Sequence, residues 1–172
     1  MAFLYLSKTD DPSMFYFRVL IVVVLFIVFF GGALCIISRN KTVKKIKSLS
    51  KNAVEVSPQE FFDLRNRRSK GKNSSYLSKK HDFSGVYILY NETKNMYYVG
   101  QGVRVFQRVN SHFTGHGNGD VYADYKYGDS FKIRMIPLKG SGFETLNALE
   151  RNTIITYNSF SEGYNKTRGN RG

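Results

Sequence analysis

The sequence contains little cysteine, little proline and few acidic residues relative to basic ones. Its 172 residues include one cysteine, three prolines and 13 Asp plus Glu, against 26 Lys plus Arg. A single cysteine, Cys35, excludes an intramolecular disulfide bond and a cysteine-based zinc site. The length suits about one compact domain with appendages, which excludes a multidomain enzyme. The 15 glycines, 12 tyrosines and 14 phenylalanines are typical of a foldable, aromatic-rich chain and not of a low-complexity one.

The formal net charge of +13 is unevenly distributed along the chain. Residues 1–37 carry two basic and two acidic residues, residues 38–81 carry 13 and 3, and residues 82–172 carry 11 and 8. Most of the excess positive charge therefore lies in the middle segment, outside the part that we expect to fold.

Nineteen consecutive residues near the N-terminus, from Val19 to Ile37, carry no charge. As an α-helix this run would span about 28 Å, close to the roughly 30 Å hydrocarbon core of a bilayer. We therefore predict a transmembrane helix at residues 19–37 behind a short tail at residues 1–18. A cleaved signal peptide is the alternative, but two aspartates precede the run and no Ala-x-Ala sequence ends it.

Basic residues flank the predicted transmembrane helix unequally. Five of them follow it at once: Arg39, Lys41, Lys44, Lys45 and Lys47. On the other side, Lys8 and Arg18 are offset by two aspartates. Because an excess of Lys and Arg marks the cytoplasmic flank, we expect the C-terminal domain to be cytoplasmic. The same cluster is suited to the anionic headgroups of the lipid bilayer.

Residues 38–81 are predicted to form a basic cytosolic linker. Lys, Ser, Asn and Arg dominate the segment, and sustained apolar periodicity is absent, so a packed core is disfavoured. One short helix is expected within it after Ser57. The sequence Ser57-Pro58-Gln59-Glu60 supplies an N-cap, a proline at the first helical position and a glutamate three residues after the cap.

From residue 82 onward, the apolar residues recur with the periods of strands and helices. Residues 84–90 and 96–100 are β-branched and aromatic runs around a polar turn, which predicts a β-hairpin. Residues 103–113 and 144–157 have helical spacing, residues 121–127 suggest a short helix, and residues 131–138 alternate as a third strand. We expect an α+β domain at residues 82–172, with a small three-stranded antiparallel sheet flanked by helices.

Motif residues occur in this domain in a specific order and spacing. They are Gly85-Val86-Tyr87 on the first strand, Tyr98-Val99-Gly100 on the second, Arg108 and His112 on the following helix, Glu150 on a later helix, and Asn165 near the end. Over about residues 83–170 this pattern resembles a GIY-YIG nuclease domain, with valines in place of the two isoleucines of the family name. The glycine-rich loop at residues 115–119 is outside this pattern. Because no Lys-Ser/Thr follows it as in a P-loop, we expect it to be a connector. We expect His116 in this loop to be exposed.

The residue types are suited to phosphodiester hydrolysis, which needs a deprotonated water, a cation at the phosphate and stabilisation of the leaving oxygen. Glu150 could hold Mg²⁺ together with substrate phosphate oxygens. Arg108 and His112, four residues apart, would share one helix face, where an arginine binds phosphate bidentately and a histidine transfers protons. Taken singly, each also has an ordinary explanation: a surface ion pair for Glu150 and a solvated helix face for the other two.

The resemblance implies a role for each residue. Glu150 would be the ligand of a divalent metal ion, Mg²⁺ or Mn²⁺, and Arg108 would contact the transition state, with His112 as an accessory. Tyr87 would be the general base, and Tyr98 would position water or phosphate, although aromatic strand residues also serve simply as core. Asn165 would bond the phosphate or orient a tyrosine. The expected nucleic-acid contacts are Arg104, Arg108, Lys166 and Arg168.

The resulting hypothesis is a membrane-anchored, metal-dependent DNA endonuclease. Low sequence specificity is expected because no DNA-reading module is visible. Tethering would raise the effective concentration toward DNA that passes the membrane, so the expected substrate is DNA entering the cell, in phage exclusion or defence or in DNA uptake. A membrane partner protein could position the domain. The alternative is a catalytically inactive tethered module that binds nucleic acid or recruits a partner.

Overall fold

The computed structural model describes residues 12–67 and 81–170. The expectations for tail residues 1–11 and linker residues 68–80 lie outside the described residues. The chain divides into two compact units, Met1–Lys41 and Thr42–Gly172.

Helix α1 runs from Pro12 to Asn52 and includes the whole uncharged run. From Tyr16 onward it is long and apolar enough to cross a membrane, and no side chain in its most apolar stretch is buried within the protein. A helix that is apolar on all sides is typical of a buried core helix or of a membrane span. A helix at residues 19–37 is confirmed, whereas its crossing of a membrane stays a prediction. Residues 42–52 of α1 belong to the second unit.

The second unit is built on an antiparallel sheet of four strands. The strands are β1 (Glu55–Val56), β2 (Gly85–Asn91), β3 (Met96–Gly102) and β4 (Phe131–Pro137), in the order β1-β4-β2-β3. The helices are α2 (Pro58–Asn66), α3 (Val105–Phe113), α4 (Gly119–Lys126) and α5 (Leu146–Thr156). The predicted α+β class and β-hairpin are confirmed, but the sheet has four strands and not three.

The fourth strand arises because the folded unit begins earlier than residue 82. The end of α1, strand β1 and helix α2 all belong to it, so residues 42–67 are not the linker that we expected. Ile46 and Phe61 are fully buried, and Val56 pairs with Ile133 of β4. The predicted cap of α2 is confirmed: the Ser57 hydroxyl accepts from the Glu60 N–H, and the Glu60 carboxylate accepts from the Ser57 N–H.

Side chains on the two faces of the sheet enter two separate cores. On β2, Tyr87 and Leu89 join a core formed with α2, α3 and α4, whereas Val86 and Ile88 join one formed with α5 and the end of α1. The alternation follows from the two-residue period of a strand. Because β3 is an edge strand, residues from both faces can meet beside it.

Candidate active site

A pocket of about 300 Å³ lies beside the edge strand β3. Its lining includes six residues that the sequence singled out: Tyr87, Tyr98, Arg108, Glu150, Asn165 and Lys166. Five others line it as well: Gly100, Gln101, Asn118, Thr167 and Asn170. His112 lies behind the pocket, hydrogen-bonded to Tyr87. Residues from distant parts of the chain therefore converge at one place.

The β-hairpin places the two motif tyrosines side by side. Tyr87 and Tyr98 lie on the same face of adjacent strands, with ring centroids 6.2 Å apart. Tyr87 pairs in register with Gly100, and a Cβ atom at position 100 would overlap the Tyr87 hydroxyl. Glycine at the end of the second motif is thus required by the space that the phenol occupies.

His112 is buried, with 1% of its surface exposed, and both of its ring nitrogens have partners. The backbone N–H of Asn118 donates to Nδ1 at 2.9 Å, so Nδ1 has no hydrogen and Nε2 carries it. Nε2 lies 2.9 Å from Tyr87 Oη and therefore donates to it. Burial, with the nearby charge of Arg108, lowers the His112 pKa to about 4. At neutral pH His112 is consequently an uncharged hydrogen-bond donor.

The Tyr87 phenol is protonated at neutral pH with these neighbours alone. Burial raises the pKa of Tyr87 above its ordinary value, the neighbouring Tyr98 adds to the rise, and the charge of Arg108 opposes it. Burial likewise raises the pKa of Tyr98. A base role for Tyr87 therefore requires a further positive charge close to its hydroxyl.

Glu150 is a buried carboxylate, 7% exposed, on helix α5. Its Oε2 accepts from Gln101 Nε2 at 3.1 Å and from the Asn170 N–H at 3.3 Å. Burial raises the pKa of Glu150, and these hydrogen bonds act against the rise. Within residues 12–67 and 81–170, no lysine or arginine forms an ion pair with it. A buried carboxylate that forms no ion pair with the described residues is suited to hold a divalent metal ion.

Among the described residues that line the pocket, Glu150 is the one carboxylate. The described ranges contain no cluster of three or more His, Cys, Asp or Glu side chains. The remaining ligands would have to be water and phosphate oxygens, which is the coordination that Mg²⁺ favours in proteins that act on phosphates.

Sequence reasoning missed Gln101, which holds Glu150 in place. Its Nε2 also donates to Asn147 Oδ1 at 2.6 Å. The Glu150 carboxylate only accepts hydrogen bonds, so the Gln101 amide must turn its NH₂ group toward Glu150. Its Oε1 is buried and has no partner among the described residues. The available signal was strand alternation: Gln101 directly follows the second motif and points to the face that α5 covers.

Asn165 acts on the outer edge of β3. Its Oδ1 accepts from the Val99 N–H at 2.9 Å, and its Nδ2 donates to the Val99 carbonyl at 2.8 Å. Both polar groups of the side chain are engaged with the backbone between Tyr98 and Gly100. Of the two roles that the resemblance implies, this geometry supports orientation of a tyrosine over contact with phosphate.

The four predicted nucleic-acid contacts separate into two pairs. Arg108 and Lys166 line the pocket, and Lys166 forms an exposed ion pair with Asp120 at 2.6 Å. Arg104 and Arg168 do not line it. The guanidinium of Arg168 lies over the Phe160 ring, 5.3 Å from its centroid, and Arg104 is the exposed N-cap residue of α3.

Residues 83–165 match the family model described as the GIY-YIG catalytic domain. No curated protein and no solved structure matches the chain. The chain therefore carries a GIY-YIG domain at residues 83–165, as the motif spacing indicated, and this family consists of endonucleases.

Substituting Gly100→Ala should destabilise the domain by about 1–3 kcal/mol, the usual cost of overpacking, because the new methyl group would overlap the Tyr87 hydroxyl. Gly119→Ala is the matched control, since a Cβ there meets nothing within 4 Å. Thermal unfolding of the full chain in detergent, followed by circular dichroism, compares the two. Equal melting temperatures for the two variants would contradict the proposed packing.

Acid should destabilise the domain through His112. Between the ordinary histidine pKa of 6.5 and the folded value of about 4, the unfolded chain binds a proton that the folded chain resists, so stability falls as pH falls. His112→Gln should remove up to about 3 kcal/mol of this pH dependence, whereas the exposed His116→Gln should not change it. Urea denaturation at pH 4, 5, 6 and 7 measures the slope. An unchanged slope in His112→Gln would show that His112 titrates normally.

Proposed function

We propose that this chain is a membrane-anchored endonuclease that hydrolyses phosphodiester bonds in DNA with a divalent metal ion. The observation that carries the proposal is the convergence of Tyr87, Tyr98, Arg108 and the buried carboxylate of Glu150 on one pocket. That pocket belongs to the matched GIY-YIG domain, and its basic and hydrogen-bonding groups are suited to a phosphate anion.

The guanidinium of Arg108 and a metal ion held by Glu150 would both bind the scissile phosphate. Glu150 would hold Mg²⁺ or Mn²⁺, which when bound supplies positive charge at the scissile phosphate and acidifies water. Gln101 keeps the Glu150 carboxylate oriented through its Nε2–H. Arg108, which is exposed at the pocket, would bind a non-bridging phosphate oxygen and stabilise the charge that develops in the transition state.

Tyr87 would take the proton from the attacking water. The Tyr87 phenol would first release its own proton to solvent, which requires the further positive charge that a bound metal ion would supply. As the water oxygen bonds to phosphorus, the proton of that water would pass to the Tyr87 phenolate oxygen. The bond between phosphorus and the leaving oxygen would break, and solvent would protonate the leaving oxygen. The His112 Nε2–H donates to the Tyr87 oxygen and so favours the phenolate, as does the positive charge of Arg108. Tyr98, whose ring lies beside Tyr87, would position the water or the phosphate.

The apolar part of α1 would anchor the enzyme in the cell membrane, with the GIY-YIG domain in the cytoplasm. Basic residues directly after the apolar run support this orientation. All five of these basic residues are exposed and suited to anionic lipid headgroups, and Lys45 also donates to the Gly142 carbonyl. Protease added to sealed inside-out membrane vesicles should digest the domain, and protection of the domain would contradict this orientation.

The physiological substrate would be DNA that enters the cell, in phage exclusion or defence or in DNA uptake, cleaved with low sequence specificity. A tether restricts the enzyme to DNA at the membrane, and a membrane partner protein could place it at a point of entry. Deletion of the gene should raise phage infection or change the efficiency of DNA uptake. Unchanged infection and uptake would remove both settings.

Glu150→Gln should abolish metal-dependent cleavage, because it removes the charge that would hold the metal ion while keeping the side-chain shape. The full chain in detergent is incubated with supercoiled plasmid and with single-stranded DNA in Mg²⁺, Mn²⁺ or EDTA. Wild type should cleave only with metal, and Glu150→Gln should lose at least about a hundredfold in rate.

Glu144→Gln, an exposed acidic position just before α5, is the matched control and should cleave like wild type. A folded wild-type protein that binds DNA but does not cleave it under any metal condition would instead favour the inactive tethered module.

A further inference from the structure

The glycine-rich loop between α3 and α4 is not a passive connector. At its start Gly115 has a φ of +84°, and the His116 N–H donates to the Ser111 carbonyl at 2.8 Å. At its end the Asn118 side chain caps α4 by accepting from the Asp120 and Val121 N–H groups. Asn118 Nδ2 also donates to the Tyr164 carbonyl at 3.3 Å. Both ends of the loop are therefore held in place.

The middle of the loop passes directly over the His112 imidazole. A Cβ at Gly117 would lie 2.6 Å from His112 Nδ1 and 2.8 Å from its Cα, so a residue with a side chain cannot stand there without displacement. This close approach brings the next backbone N–H, that of Asn118, within 2.9 Å of Nδ1.

Only one neutral tautomer of His112 is compatible with this contact. A hydrogen on Nδ1 would oppose the Asn118 N–H, two donors facing each other in a buried place, which costs the free energy of an unmade buried hydrogen bond. With Nε2 protonated, both contacts of the ring are satisfied: Nδ1 accepts from Asn118, and Nε2 donates to Tyr87 Oη.

We propose that the loop at residues 115–118 is a positioning element that fixes His112 in its Nε2-protonated tautomer and thereby aims a hydrogen-bond donor at the Tyr87 oxygen. Because this oxygen accepts from His112, the phenol hydrogen must point away from the imidazole. The opposite tautomer would accept the phenol hydrogen and leave the oxygen without this donor. The catalytic consequence rests on the proposed function, but the tautomer itself does not.

The tautomer can be read by ¹⁵N NMR of the full chain in detergent with labelled histidine. The chain has three histidines, and His112→Gln identifies the signal of His112. We expect Nδ1 to resonate as an unprotonated nitrogen and Nε2 as a protonated one throughout pH 6 to 8. A proton on Nδ1, or a mixture of the two tautomers, would overturn the proposal whether or not the protein cleaves DNA.

A pair of variants at position 118 isolates the backbone donor. Asn118→Ala and Asn118→Pro both lose the side-chain cap, but only proline removes the N–H, and the φ of −74° at this position is compatible with proline. Asn118→Ala should keep the tautomer of wild type. Asn118→Pro should lose it and cleave plasmid at least tenfold more slowly than Asn118→Ala.

Two further variants keep the test decisive. His116→Ala, an exposed loop position, should keep both the tautomer and the activity within about twofold. If Asn118→Pro does not fold, Gly117→Ala displaces the loop from the imidazole by a different route and should give the same NMR change. If every folded loop variant keeps the Nε2-protonated tautomer of His112, the positioning role of the loop is contradicted. If a variant loses this tautomer but cleaves DNA at the wild-type rate, fixing the tautomer does not contribute to catalysis.

Discussion

The hydrogen bond from His112 to Tyr87 is the interaction on which the site depends. It is buried between the sheet and α3, where an unpaired polar group would be costly. Its surroundings are arranged to permit it: Gly100 leaves space for the phenol, Gly117 lets the loop backbone reach the imidazole, and the Asn118 N–H completes the pairing. Gly100 of the motif and Gly117 of the loop thus both leave space for the hydrogen-bonded side chains of Tyr87 and His112.

The edge strand β3 joins this pair to the acidic half of the site. Tyr98 faces the tyrosine and histidine side of the sheet, whereas Gln101 faces α5 and bonds to Glu150. Asn165 pairs with Val99 on the outer edge of the same strand, so the strand is fixed from three directions. Its short motif therefore sets the distance between a candidate base on one face and a candidate metal ligand on the other.

The sequence predicted the parts of the site that repeat a pattern, and missed those that depend on tertiary contacts. The hairpin and helix α5 follow from periodicity, and the six pocket residues follow from the family resemblance that the motif residues carry. Strand β1 and helix α2 lie in the segment that the sequence predicts to be a linker, because its few apolar residues are scattered among charged and polar ones. Ile46, Val56 and Phe61 gain a core only from the rest of the fold. Asn118 was missed because it acts on His112 through its backbone, which no side-chain pattern records.

The most direct test of the account is the rate of metal-dependent plasmid cleavage by Tyr87→Phe in the full chain. This variant removes one oxygen atom and keeps the buried ring. Loss of a general base predicts a rate about 10²- to 10⁴-fold lower in a protein that remains folded, while Tyr90→Phe, whose hydroxyl bonds to Asn95 away from the pocket, cleaves like wild type. Equal rates for Tyr87→Phe and wild type would contradict the central role given to the Tyr87 oxygen.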